Sequence, residues 1–391
     1  MIQLTQNDRD SILNRFIRYA KIWTTSDSAR ADQGIQPSTE RQFDLARVLE
    51  AELKELGLKN VQVTDHCYVY GLFEGRGTDS TKPEFCLLAH MDTVEEVSGK
   101  DVKPQLHDVD GDTIITSDGT TLLGADDKSG VTAIMHTLSF LKSHPELNYK
   151  TIEVCFSPDE ETGHGMDNVP LELIQSKQAY TVDGGELGQL ETECFNAWKS
   201  DIVFTGVAQH TGTARGKLVN ALSMAAAFIT MLPHNQAPET TDGYEGFYAP
   251  MEMDGTLEKS HINMILRDFE EAGMNKKLAF VEQLAQTVAS RFGGKAEVTN
   301  TCQYKNMKEG LQKSPQTVEN LISAYKASGI EPVRTPIRGG TDGSRLTEMG
   351  IPTPNIFTGG SDFHSRKESL SLNGLCKCVE VLINLTLKKE N

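Results

Sequence analysis

The apolar run Thr151-Ile152-Glu153-Val154-Cys155-Phe156 ends abruptly in Ser157-Pro158-Asp159-Glu160-Glu161-Thr162-Gly163. A run of this kind reads as a buried strand, closed by the proline. Two adjacent carboxylates, Glu160 and Glu161, then stand at the lip of a sheet, where open α/β folds place their ligand crevices. Taken alone, the stretch reads better as the acidic first turn of a solvated helix. The rest of the chain shifts that balance.

The same ending recurs. Glu84-Phe85-Cys86-Leu87-Leu88-Ala89 is a continuous apolar run, explained by a central strand buried on both faces, and it feeds His90-Met91-Asp92-Thr93. Ala179-Tyr180-Thr181-Val182 ends at Asp183, and Pro354-Asn355-Ile356-Phe357 precedes His364. Gly124-Ala125-Asp126-Asp127 follows a turn-rich hairpin over 111–123 and opens a helix that buries Val131, Ile134, Met135, Leu138 and Leu141. Further helices are expected over 10–22, from Pro37 toward Gly57, around 171–176, and over 315–328 and 372–387. Strands alternating with helices predict an α/β protein with a mixed, mostly parallel sheet between helices. Near Ala197 the pattern changes to strands over 201–206, 263–269 and 296–299 with helices over 221–232 and 278–291. That set predicts a smaller inserted α+β domain over 197–302, leaving 1–196 and 303–391 as the main domain.

A net charge of -17 argues against a nucleic-acid partner, which needs a basic face. No apolar run approaches the length that spans a bilayer, and residues 1–10 lack the basic and apolar regions of a signal peptide. Seven scattered cysteines without a CxxC pattern are expected to be free thiols in a reducing cytoplasm.

Acids or histidines at five strand ends, converging on one edge of a parallel sheet, look like a metal site, because buried carboxylates must be paired or coordinate a cation. Mixed imidazole and carboxylate ligands suit zinc, with manganese or cobalt as alternatives. Three carboxylates against two divalent ions leave one positive charge. That is a two-metal hydrolase design, with ions about 3.5–4 Å apart clamping the nucleophile and the polarised carbonyl.

The segments Leu88–Thr93, Gly124–Lys128, Pro158–Glu161, Thr181–Gly185 and Gly359–His364 stand in the order typical of the M20 metallopeptidases, which the chain resembles. Within that family, Leu123–Lys128, Thr241–Tyr248, Arg338–Gly343 and Asn355–Gly360 are similar to the branch of tripeptide aminopeptidases. The resemblance covers nearly the whole chain. It implies a zinc-exopeptidase-like catalytic domain and an inserted lid or dimerisation domain, with a short peptide as substrate and a homodimer left open. It implies two divalent ions, one bound by His90, Asp126 and Asp183 and the other by Asp126, Glu161 and His364. Asp126 would bridge, while Asp127 caps the next helix. Asp92 would fix the His90 tautomer, with a turn acid as the alternative, and Glu160 would be the general base. His210, in Gly206–Gly212, would steady the oxyanion from its own chain or a partner's. Thr211 stands there where the family commonly has proline.

Arg267 is a candidate clamp for the peptide carboxylate, or the partner of Asp268 or Glu270 in an internal ion pair. The Arg338 loop would supply donors to substrate or make a tight turn. His164 is expected to be a loop residue. The implied reaction is release of the N-terminal residue from tripeptides. An N-acyl amino acid deacylase or another small-peptide hydrolase could use the same site. A non-catalytic metal-binding protein would have no need of Glu160.

Overall fold

Eight strands make the main sheet, in the order Lys59–Val63, Val69–Phe73, Ile152–Ser157, Cys86–His90, Ala179–Gly184, Asn355–Phe357, Gln189–Glu191 and Val333–Arg334. They belong to a computed structural model that describes residues 2–77 and 81–388. Cys86–His90 runs parallel to both Ile152–Ser157 and Ala179–Gly184, and Asn355–Phe357 runs parallel to the latter. The Cys86–His90 and Ile152–Ser157 strands are buried at every residue, which is why their sequences are continuous apolar runs rather than alternating ones. Helices Gln6–Ala20, Ala125–Ser143, Pro315–Ala327 and Leu372–Thr386 pack within the same unit. A second small sheet orders Gly360–Ser361, Ser369–Ser371, Asp112–Thr116 and Gln105–Val109.

The chain divides into two compact units. One comprises Met1–Thr192, Met307–Thr335 and Thr341–Asn391; the other comprises Glu193–Asn306 and Pro336–Gly340. The second unit has a four-stranded antiparallel sheet, ordered Phe247–Gly255, Lys259–Asp268, Asn196–Thr205 and Lys295–Tyr304. Ile202 and Phe204 from one strand and Ile262, Met264 and Leu266 from its neighbour bury one face against Met224, Phe228, Val281 and Val288 of two helices. The alternate residues stay partly exposed, as the period of two requires.

Three expectations are corrected. The helix expected from Pro37 begins only at Gln42, because the Ser38 amide and hydroxyl and the Gln42 side chain are committed to Asp159. No helix forms over 171–176. There the Gln175 and Ser176 amides donate to the buried Glu153 carboxylate at 2.8 and 3.0 Å, instead of to carbonyls one turn back. The hairpin before Asp126 is longer than read, with Gln105–Val109 as its first arm and Asp110-Gly111 at its turn.

His136, on the Ala125–Ser143 helix, is 4% exposed, and neither ring nitrogen has a hydrogen-bond partner. Burial, aided by the Arg15 charge and opposed by Asp8, lowers its pKa to about 4. Between that value and the ordinary one near 6.5, the unfolded chain binds the proton and the folded chain does not. Stability therefore rises with pH through this window and is lost as pH falls through it, by up to about 3 kcal/mol. His136→Leu is expected to remove this part of the acid sensitivity. The check is the difference in unfolding free energy between variant and wild type at pH 4.5 and pH 7, and an equal difference at both would refute the assignment.

Candidate metal centre

Three parallel neighbours in the main sheet deliver their C-terminal ends to one edge. His90 closes Cys86–His90 and lies level with Ser157, Asp183 sits near the end of Ala179–Gly184, and Glu160 and Glu161 follow Ile152–Ser157 in a single tight turn. The acidic-helix-start reading of that last stretch survives only as this one turn. Asp126 stands where the chain enters the Ala125–Ser143 helix, at a non-helical φ of -84° and ψ of 106°, and His364 follows the strand Asn355–Phe357.

These side chains converge. His90 Nε2 lies 2.8 Å from Asp126 Oδ1 and 3.5 Å from Asp183 Oδ1. His364 Nε2 lies 3.1 Å from Asp126 Oδ2 and 2.9 Å from Glu161 Oε2. Asp126 thus gives one oxygen to each imidazole, and each imidazole meets a further carboxylate. Asp127 also comes within reach of His90 and Asp183. Its oxygens, however, accept the His90 amide at 3.2 Å and the Gly130 amide at 2.9 Å, so it works as a helix cap.

Each donor-bearing loop is pinned by a buried polar side chain. Asp92 faces His90 Nδ1 with its backbone oxygen at 3.2 Å and Oδ1 at 3.3 Å. A proton on Nδ1 directs the Nε2 lone pair toward Asp126. The same Asp92 carboxylate accepts the amides of Glu160 and Glu161 at 3.0 and 3.2 Å, which fixes the turn that carries them. Asp159, at a left-handed φ of 57°, is held by Ser38 and Gln42. Asn355 accepts the Asp183 amide at 3.0 Å. Glu368 accepts the amides of Leu123, Gly124 and Asp126. Asp342, buried in the Gly-rich segment, accepts the Ser157 hydroxyl at 2.5 Å.

The charges are out of balance without cations. Burial, reinforced by the Asp126 charge, raises Glu161 to about 8 and Asp183 to about 6. Burial also raises Glu160 well above the carboxylate range, with Asp183 and Asp342 adding to it. Hydrogen bonds to the Asp126 and Glu161 carboxylates raise His364 to about 11. Burial disfavours charge on Asp126 as well, but His364 and His90 outweigh it and hold that group low. Glu161 Oε1 is buried and has no hydrogen-bond partner. The carboxylates push His90 and His364 toward positive charge, as they would draw in a cation, and the orphaned Glu161 oxygen asks for one. The donor set fits divalent metal, and imidazole with carboxylate is a zinc-type combination.

The other expected site residues belong to the second unit. His210 is exposed on its loop, with Nδ1 accepting the Gly212 amide at 3.2 Å. Arg267 Nη1 donates to the carbonyls of Trp198 and Leu266 and to Gln303 Oε1, and the guanidinium lies 5.6 Å from the Tyr304 ring. Lys277, 3.5 Å away, is an ion-pair partner of Asp268. Arg338 donates to Gly243 O, Glu245 O and Thr241 O and Oγ1, and covers the Phe195 ring. Its Nη1 and Nη2 donors sew down the Thr241–Glu245 loop. His164 pairs with Asp167 and Asp32, as a loop residue would. Glu368, Asn355 and Asp342 were not anticipated as supports, since each reaches far along the chain and sits in no local acid or histidine pattern.

The profile of peptidase family M20/M25/M40 matches residues 86–388, a span that includes every side chain of the cluster. "Peptidase T" of Clostridium perfringens is 40% identical, over 95% of this chain and 97% of its own length. Among solved structures, aminopeptidase PepT from Bacillus cereus superposes with a TM-score of 0.79 at 24% identity, covering 97% of this chain and 98% of that one. A tripeptidase from Staphylococcus aureus gives 0.80 at 22%, with 97% of each chain covered. The mixed sheet, the donor cluster at its edge and these matches lead to one assignment: the chain belongs to the M20/M25/M40 peptidase family.

Proposed function

We propose that this chain is a two-metal aminopeptidase that releases the N-terminal residue of short peptides, chiefly tripeptides, with zinc as the native ion and manganese or cobalt as substitutes. The observation that carries the reading is the division of Asp126 between two imidazoles, each backed by its own carboxylate. One ion would be held by His90, Asp126 and Asp183, the other by Asp126, Glu161 and His364. The ions supply Lewis acidity to the water and to the scissile carbonyl. The relatives named peptidase T, aminopeptidase and tripeptidase support the substrate class.

Glu160 is the general base. Its amide is fixed by Asp92, which holds the carboxylate in place to take a proton from water and give it back to the departing amine. Glu161, one residue on, turns toward His364 and serves the ligand set. Asp92 keeps His90 in the ligating tautomer and holds both glutamates in place. His210 is proposed as donor to the tetrahedral oxyanion. Arg267, through donors other than Nη1, is proposed to take the carboxylate of the peptide. Seven cysteines outside disulfides, six of them buried, support a reducing cytoplasm. Among the described residues, no helix is long and apolar enough to cross a membrane.

The test is a set of steady-state rates on free-amine di-, tri- and tetrapeptides and on acetylated amino acids. Tripeptides are expected to give the highest kcat/KM. In the same assay His210→Ala should lower kcat, and Arg267→Ala should chiefly raise KM. Faster turnover of acetylated amino acids would replace this reading with deacylation, and equal efficiency on tetrapeptides would remove the length selectivity.

A further inference from the structure

We propose that Glu368 is a positioning residue for the bridging carboxylate, and that occupancy of both metal positions depends on it. The proposal rests on the assignment of Asp126 as the bridge. Glu368 is 1% exposed. Its Oε2 accepts the amides of Leu123 at 2.7 Å and Gly124 at 2.8 Å, and its Oε1 accepts the amide of Asp126 at 3.0 Å. Gly124 adopts a left-handed φ of 81°, which brings neighbouring amides round to one side and forms an anion-binding concavity. In many proteins such a nest takes a ligand; here the chain's own carboxylate fills it.

The placement of Glu368 along the chain gives it reach over a second ligand. It lies four residues after His364, and its amide donates back to Ser365 O at 3.3 Å. The next residues, Ser369–Ser371, are paired in register with Asp112–Thr116, so the backbone beneath Glu368 is fixed. His364 Nε2 in turn meets Asp126 Oδ2 at 3.1 Å. One carboxylate thereby ties the loop of Asp126 to the loop of His364. A closed circuit results, from Glu368 through the Asp126 amide and side chain to His364 and back along the chain. Because Asp126 serves both ions, a shift of its backbone is felt at both, whereas a support of His90 or Asp183 alone would be felt at one.

Glu368→Gln separates this role from simple packing. The amide keeps the volume but has one acceptor oxygen, so it cannot serve both Oε positions. With its oxygen on Leu123 and Gly124, its NH₂ faces the Asp126 amide, donor against donor. The experiment is competition titration of the metal-free protein with Zn²⁺ against a chromophoric chelator, with thermal unfolding of the metal-free form measured alongside. Both zinc affinities are expected to fall by about 10–100-fold. A purely structural Glu368 would lower the melting temperature of the metal-free form and leave both zinc affinities at the wild-type values, which would overturn the proposal. Loss at one ion only would overturn the coupling of the two positions. Should Glu368→Gln fail to fold, Glu368→Asp keeps the charge but withdraws it by one methylene, and the same loss at both ions is expected. Asp126→Asn serves as the reference: if it retains both ions, the bridging assignment fails whatever Glu368 does.

Discussion

Glu160→Gln is expected to retain two zinc ions per chain and to lose turnover by about 10²–10⁴-fold, the range for removing a positioned general acid–base group. The two effects separate because Glu160 and Glu161, although adjacent, have different surroundings. Glu161 Oε2 is 2.9 Å from His364 Nε2 and belongs to the proposed ligand set. Glu160 is held through its backbone, its amide donating to Asp92 and its carbonyl accepting the Gly163 amide, and among the described residues its carboxyl makes no imidazole contact. An amide at 160 keeps the shape and the turn but can neither accept nor return the proton. KM should therefore move little while kcat falls, the signature of an interaction used chiefly in the transition state. Retained metal with wild-type kcat would remove Glu160 from the mechanism. Lost metal would mean that the two glutamates are assigned the wrong way round.

Asp126→Asn should have the opposite pattern. The carboxylate presents Oδ1 to His90 and Oδ2 to His364, and an amide has only one oxygen to offer. Metal content is expected to fall at both positions, and kcat/KM by roughly 10³-fold or more, since metal activation is worth several kcal/mol. Asp183→Asn, on the His90 side of Asp126, should cost one position. The checks are metal analysis after dialysis and rates at saturating added zinc. Two ions retained in Asp126→Asn would contradict a bridging role.

Much of this site can be read from the sequence because the strands that carry it are buried on both faces. Continuous apolar runs mark Cys86–His90 and Ile152–Ser157, and the abrupt change to His90 or to Glu160-Glu161 marks where each strand leaves the core. What holds the donors is not legible in the same way. Glu368 meets Leu123, 245 residues away, and its neighbours Gly124 and Asp126, and Asp159 meets Ser38 and Gln42 across 121 and 117 residues. No local periodicity encodes either contact. The missing helix over 171–176 has the same origin: the sequence favours a turn of helix, but Glu153, buried in a distant strand, takes its amides. The strand Phe247–Gly255 escaped notice because it is an edge strand whose last six residues are exposed, so it lacks an alternating pattern. Arg338 shows the converse. An arginine in a glycine-rich loop suggests a ligand, yet neighbouring carbonyls claim its donors.

The central claim is that a cluster of His90, Asp126, Glu161, Asp183 and His364 holds two ions that a peptidase reaction requires. The most direct measurement is metal content together with tripeptide hydrolysis on one preparation, before chelation, after chelation and after zinc is restored. Two ions per chain are expected at the start, activity should disappear with them, and both should return together. Full tripeptide hydrolysis by protein stripped of metal would contradict the account.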